Sequence, residues 1–310
     1  MTSDLRIQFF GTSSAVPTKE RGLSCLAVFF GNSMAFFDCG EGAQRSVIQA
    51  GLGFNKDCNI FVTHMHGDHV AGLLGILQTM AMNRREKQVG VFGPKKILEF
   101  IRESRDALNF GLTFDVLAKE VRPGLIYNEG SSKYRVYAEK SEHSDQSFAY
   151  VFEEKEKPGK FHPEKALKLG IPEGPLWSKL QHGEAVQSPK TGRPVKPEQI
   201  VEPPRKGRRI GISGDTRPTK LLESFFKGSD VLIFDSTYSD EHQANAVENL
   251  HSTSREAAAL ARKAKVRQLI LTHFSARYRS VSHLVRQARE EFPHSIAAKD
   301  FLVYEVPDRS

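Results

Sequence analysis

The sequence predicts a mixed α/β fold in which short apolar strands feed helices through polar turns, interrupted by one inserted arm. Three observations lead there. Strand-type runs that end in a polar turn and give way to helical spacing recur along the chain, at residues 34–48, 60–77 and 231–264. One of those turns, residues 63–72, packs three histidines and an aspartate into six positions. The segment 153–209 abandons the rhythm and holds 9 of the 15 prolines. With 310 residues, 39% of them hydrophobic and 21 of them Phe, the chain can fill a substantial core.

Taken in order, residues 5–10 alternate and are expected to form a first strand, broken by Gly11 to Pro17. Pro17-Thr18-Lys19-Glu20-Arg21 precedes a second strand over 24–30, and a hairpin at Gly31-Asn32 leads to a third over 34–38. Asp38-Cys39-Gly40-Glu41-Gly42 then opens an amphipathic helix through Gln44, Val47 and Ile48. After the strand at 60–62 the spacing of Val70, Leu73, Leu74 and Leu77 predicts a helix over 70–83. A strand at 89–92 and a helix at 95–108, entered through Pro94, come next. Strand-type segments follow at 113–118, 125–127, 134–139 and 147–152, with His143 in the polar loop between the last two.

The segment 153–209 carries 13 Lys or Arg against 8 Asp or Glu, most of the chain's net +7. It reads as an arm inserted into a single domain spanning 1–310, with little apolar surface to bury on its own. Its stretch from Gly170 to Gly183 contains the only Trp, Trp177, and reads as a formed tip with stiff Gly and Pro corners. The rhythm then resumes: a strand from 209 ends at Asp215, and another from 231 ends at Asp235-Ser236-Thr237. His251-Ser252-Thr253 enters a helix over 255–264, with Ser252 or Thr253 as N-cap and Glu256 as its capping-box partner. A strand over 268–272 ends at His273; a helix over 281–291 and a strand over 301–306 close the chain.

Chemistry concentrates in His64-Met65-His66-Gly67-Asp68-His69. Imidazole and carboxylate donors together suit zinc and related divalent ions. His64 and His66, two apart on an extended backbone, point to one side, while Asp68 and His69 follow on the turn and can face a second ion. Gly67 permits the tight turn, and Gly72 thins the next helical turn so that it can approach the site.

This His-x-His-x-Asp-His pattern resembles the signature of the metallo-β-lactamase superfamily. The resemblance implies a four-layer αββα sandwich with metal at the edge where the sheets meet, and hydrolysis of an ester, thioester, lactam or phosphodiester. It implies that His64, His66 and His143 hold one zinc, that Asp68, His69 and His273 hold another, and that Asp215 bridges them, with Asp68 serving catalysis as well. Two zinc ions about 3.5 to 4 Å apart suit phosphodiester hydrolysis.

Over essentially its whole length the chain is also similar to the tRNase Z family. The matching pieces are Pro17 to Arg21, Asp38 to Gly42, the histidine motif, Gly170 to Gly183, Ser213-Gly214-Asp215-Thr216, His251 to Thr253, and Thr272 to Tyr278. That resemblance implies two Zn2+ per subunit and removal of the 3′ trailer from precursor tRNA, leaving a 3′-hydroxyl on the tRNA and a 5′-phosphate on the trailer. It implies that the arm is an exosite for the tRNA elbow and that the short form acts as a homodimer. RNA contacts are expected at Lys19, Arg21, Gly170, Pro172, Gly174, Pro175, Lys179, Ser275 and Arg277. His251 is expected to protonate the leaving 3′ oxygen, with Asp235 orienting its ring. Two positions depart from the family's usual pattern: Gly22 stands after Arg21 where bacterial members usually have Asn, and Asp235 stands where many have Glu.

Cys25, Cys39 and Cys58 are odd in number with no Cys-x-x-Cys spacing, and read as buried thiols of a reducing compartment. No stretch approaches the roughly 18 apolar residues of a membrane span, and no leader pattern opens the chain. A cytoplasmic protein without a membrane partner is expected.

Overall fold

The computed structural model describes residues 4–128, 133–156 and 159–309. The chain divides into two units, one of Met1–Glu153 with Arg208–Asp308, the other of Glu154–Gly207 with the last two residues.

In the first unit the strand-to-helix recurrence closes into two sheets, each of seven strands among the described residues. The first runs Val303–Glu305, Leu5–Gly11, Cys25–Phe30, Ser33–Phe37, Asp57–Phe61, Val89–Gly93, Val116–Glu120. It is antiparallel through the hairpin and parallel from Ser33–Phe37 onward. The second runs Ser295–Ala297, Gln268–Thr272, Val231–Asp235, Arg209–Ile212, Phe148–Glu154, Tyr134–Lys140, Gly124–Tyr127, with its first four strands parallel.

The central strands read as unbroken apolar runs because both of their faces are covered. Cys25–Phe30 and Val231–Asp235 are buried at every position. Between the sheets Phe9, Phe37, Phe61 and Phe92 meet Tyr150, Phe152, Ile210 and Ile233. Phe37, Phe61 and Phe92 are in register on neighbouring strands and stack at 5.2 and 5.0 Å, a cross-strand ladder that fixes the alignment of the strands ending at the histidine motif. Helices Ala43–Gln49, Leu73–Met82 and Ile97–Leu108 cover the outer face of the first sheet. Lys220–Phe225, Ser254–Lys263 and Ser282–Glu291 cover that of the second. The layers are helix, sheet, sheet, helix, as the resemblance implies.

Local structure departs from expectation in places. The helix expected over 70–83 is two, Gly67–Val70 and Leu73–Met82. The break falls where Gly72 presses on the turn after Ser33–Phe37: its N–H donates to Cys39 O at 2.8 Å, and a Cβ there would lie 2.0 Å from Gly40 O. The strand expected over 113–118 is Val116–Glu120, set by its pairing with Val89–Gly93. Helix Ser254–Lys263 is capped by Thr253, whose hydroxyl accepts from Glu256 N at 3.2 Å while Glu256 Oε2 accepts from Thr253 N at 2.9 Å.

The second unit corrects the expectation that the arm buries little of its own. Helices Pro163–Lys168 and Pro175–Gln181 and the strand pair Val186–Gln187 with Pro194–Val195 enclose Ala166, Ile171, Leu180, Val186, Val195 and Ile200. Trp177 packs on Phe161 at 5.1 Å and donates to Ile171 O at 3.2 Å. Gly170, at φ 75°, turns the chain between the two helices where a Cβ would meet Ser188 Oγ at 2.8 Å. Among the described residues no helix is long and apolar enough to cross a membrane.

Candidate active site

Strand ends build the site. Asp57–Phe61 delivers His64, His66, Asp68 and His69; Arg209–Ile212 delivers Asp215; Gln268–Thr272 delivers His273, which sits at φ 62°. The loop between Tyr134–Lys140 and Phe148–Glu154 brings His143. Two groups of donors hold the expected ligands, His64 with His66 and His143, and Asp68 with His69, Asp215 and His273, and a third group, Asp235 and His251 with the same Asp215 and His273, overlaps the second. Asp215 reaches both sets of expected ligands. Its Oδ2 lies 3.7 Å from His64 Nε2 and 3.7 Å from His143 Nε2, and 3.2 Å from His69 Nε2, while Oδ1 lies 3.3 Å from His273 Nε2.

Hydrogen bonds behind the rings set which nitrogen faces inward. Thr63 Oγ1 donates to Asp38 Oδ2 at 2.9 Å, so at 3.0 Å from His64 Nδ1 it accepts that ring's proton. Thr237 Oγ1 donates to Asp235 Oδ1 at 2.6 Å and so accepts from His273 Nδ1 at 2.9 Å. His143 Nδ1 donates to Leu250 O at 3.1 Å, and His69 Nδ1 lies 2.7 Å from Asp38 Oδ2. A second ring N–H anchored to an oxygen is what metal-bound histidines show.

Of the inward-facing nitrogens one has no partner of its own, and the others face one another or Asp215. His64 Nε2 is buried with no hydrogen-bond partner, and burial, with the His69 imidazole adding, pushes His64 down to about 2, leaving a bare lone pair. His66 Nδ1 faces His143 Nε2 at 3.2 Å, and His69 Nε2 faces His273 Nε2 at 3.2 Å. Those separations match the edge of a tetrahedron of nitrogens, about 3.3 Å, around zinc with bonds of about 2.0–2.1 Å. Burial opposes charge on His69, yet Asp215 and Asp38 hold it well above its usual value. Burial likewise opposes charge on Asp215, and His273 and His69 hold it well below the carboxylate range. Buried carboxylates among inward lone pairs call for cations, and the donor set fits two.

Beside these groups His251 Nδ1 lies 2.8 Å from Asp235 Oδ2. Burial lowers the His251 imidazole, but the charge and hydrogen bond of Asp235 prevail and push it up to about 9. Asp235, although shorter than Glu, reaches the ring and also accepts from Thr216 N at 3.1 Å and Thr237 N at 2.9 Å.

A family model described as Anti-Pycsar protein Apyc1 matches residues 5–113, and one described as Beta-lactamase superfamily domain matches residues 188–274. Ribonuclease Z of Nitrosopumilus maritimus is 47% identical over 302 residues, covering 97% of this chain and 100% of that protein. Ribonuclease Z of Myxococcus xanthus is 42% identical, covering 98% and 99%. The chain belongs to the ribonuclease Z family. Its fold is shared with human tRNase Z, short form, at TM-score 0.71 and 24% identity over 97% of this chain and 99% of that one. The metallo-beta-lactamase fold protein YhfI from Bacillus subtilis aligns at TM-score 0.67 and 14% identity, over 97% and 98%.

The remaining expected residues divide. Lys19 is exposed on a cavity of about 430 Å³ that Arg45, Gln49 and Asp300 also line. Arg21 is engaged inside the fold: it donates to Thr12 Oγ1 at 2.7 Å and Ala298 O at 3.1 Å and lies over the Phe274 ring. Arg277 is exposed, donates to Ser275 Oγ at 3.1 Å and lies over Tyr238 at 5.0 Å. Pro172, Gly174, Pro175 and Lys179 are exposed in the second unit, where Gly170 also lies. Sequence reasoning assigned no role to Asp38, Thr63 or Thr237, which orient the rings. Asp38, a carboxylate that ends an apolar strand run as Asp215 does, carried the available signal.

Proposed function

We propose that this member of the ribonuclease Z family is a dizinc endoribonuclease that removes the 3′ trailer from precursor tRNA, leaving a 3′-hydroxyl on the tRNA and a 5′-phosphate on the trailer. The observation that carries it is Asp215, placed within 3.7 Å of nitrogens from both donor groups in a chain 47% identical to a ribonuclease Z. His64, His66 and His143 would hold one ion and Asp68, His69 and His273 the other, with Asp215 shared between them. Metal held there would lower the pKa of water and take up charge on the phosphoryl oxygens.

The chain's own residues do the rest. Asp68, whose Oδ2 accepts from Ala15 N at 2.8 Å, would be held in place as a ligand and would serve the attacking water. As the bond to the 3′ oxygen of the last retained nucleotide breaks, that oxygen takes the proton of His251 Nε2, the nitrogen that Asp235 leaves free. The second unit supplies affinity, presenting Lys179 and its Gly and Pro corners to the tRNA. Work as a cytoplasmic homodimer, one subunit's arm gripping RNA that the other cuts, belongs to the same reading; buried, reduced Cys25, Cys39 and Cys58 support the compartment.

The test is incubation of zinc-loaded protein with precursor tRNA and mapping of both new ends. A single cut with the stated termini is expected. Zinc-replete protein that leaves precursor tRNA intact, or that turns over only small cyclic phosphodiesters, overturns the reading. Mixing a subunit lacking residues 155–205 with an Asp215→Ala subunit is expected to restore the low KM for precursor tRNA that the first lacks alone and the turnover that the second lacks alone.

A further inference from the structure

Arg217 stands two residues beyond Asp215 and is assigned no role by the chemistry above, yet it joins the three loops that meet at the site. Its Nη1 donates to the backbone carbonyl of His251 at 2.5 Å and to Glu256 Oε2 at 2.9 Å, while Nη2 donates to Glu256 Oε1. Its backbone N–H donates to Glu142 O at 3.0 Å, next to His143, and Glu142 N donates to Thr216 Oγ1 at 2.9 Å. Ser252 Oγ closes the ring on Thr216 O at 2.5 Å.

These bonds meet a specific need. Asp235 fixes the direction of the His251 ring but not the position of its backbone. Leu250, at φ 56°, and His251 lie outside helix and strand, so no backbone ladder holds the His251 carbonyl. Glu256 is anchored through the N-terminal turn of Ser254–Lys263, where the same carboxylate accepts from Thr253 N at 2.9 Å. The guanidinium fork therefore ties the His251 carbonyl to a rigid helix end on one side and to the Asp215 strand end on the other. The planar fork grips the carboxylate with two nitrogens while one of them also serves the carbonyl; an ammonium could reach both groups but without that bidentate geometry. With side chains 15% and 19% exposed, Arg217 and Glu256 are screened from solvent enough for the pair to hold its place.

We propose that Arg217 is a positioning residue for proton donation: it holds the His251 imidazole in register with the metal-binding carboxylate, and its removal slows departure of the 3′ oxygen without loosening metal or RNA. The proposal rests on His251 acting as the proton donor.

The experiment uses zinc-loaded full-length protein and two precursor tRNAs, one with the normal 3′ oxygen at the cut and one with a bridging 3′ sulfur, which leaves without protonation. Arg217→Gln is expected to lower kcat on the oxygen substrate by roughly 10- to 100-fold, within the range general acid help supplies. KM and zinc content are expected to stay within about twofold, and most of the loss should vanish on the sulfur substrate. Arg217→Lys should fall between the two. Equal loss on both substrates, loss of zinc, or wild-type turnover by Arg217→Gln overturns the inference. His251→Ala run alongside separates the two levels: if sulfur fails to rescue it, the proton-donor reading fails, and if sulfur rescues it but not Arg217→Gln, only the role of Arg217 fails. Should Arg217→Gln not fold, Glu256→Gln removes the charge partner while keeping an acceptor for Thr253 N, and the same sulfur rescue is required of it.

Discussion

At the scale of single residues the site is two sets of groups, one that faces inward and one that aims the first. The inward set was legible because histidine and carboxylate at strand ends are rare and chemically specific, and His143 became legible only through the resemblance. The aiming set was not, since the roles of Asp38, Thr63 and Thr237 lie in bonds to side chains distant in sequence. Asp38→Ala is expected to lower metal affinity about 10- to 100-fold by freeing His69 directly and His64 through Thr63; metal titration with atomic emission readout would show the weakened binding, and full metal content at unchanged affinity would refute it. His251 gives a pH prediction with a definite sign. Asp235 raises the donor, to about 9 without metal, and cations held by Asp215, 4.0 Å from the ring, would draw it back down, so its contribution falls away as pH rises between neutral and about 9. The kcat profile on the oxygen substrate should fall there, and His251→Ala should lack that limb.

At the scale of elements, strands and long amphipathic helices followed from periodicity, while pieces whose existence depends on neighbours did not. Ser295–Ala297 is three residues held by pairing with Gln268–Thr272, and the Ser13–Ser14 pairing with Phe274–Ser275 exists only because the two strand ends meet. The break between Gly67–Val70 and Leu73–Met82 is of the same kind, invisible to helical spacing and imposed by the contact with Gly40. Gly72 was read as a close-approach residue from its place after the motif, and the 2.0 Å clearance to Gly40 O gives that reading a consequence. Gly72→Ala must push the metal turn away from the Asp38 turn. A cost of about 1–3 kcal/mol in thermal unfolding is expected, with reduced metal content, because His69 loses its registry with Asp38. A stable, fully metallated Gly72→Ala protein would show that the two turns are not coupled.

At the scale of the whole molecule, charge and chemistry sit in different units. Residues 154–207 carry 11 Lys or Arg against 7 Asp or Glu, whereas the donor groups and His251 all belong to the first unit. Proline content and charge made the arm's bounds legible, but not its core, because Ala166, Ile171, Leu180, Val186, Val195 and Ile200 are scattered among polar residues without a period. A unit with its own core can be weakened without touching the site. Leu180→Ala, at a fully buried position, should cost that unit about 2–5 kcal/mol, and removing residues 155–205 should eliminate it. Both changes are expected to raise KM for precursor tRNA while sparing hydrolysis of a small phosphodiester. Salt separates affinity from catalysis: each phosphate neutralised in a duplex region contributes about −0.9 to the slope of log K against log salt. The intact chain should show a steep slope and the deleted one a slope shallower by the number of contacts the arm makes. If the slope is unchanged while binding weakens, the arm acts through shape and not through charge. If hydrolysis of the small substrate falls as far as that of tRNA, the arm is part of the catalytic unit's fold and its role in affinity is wrong.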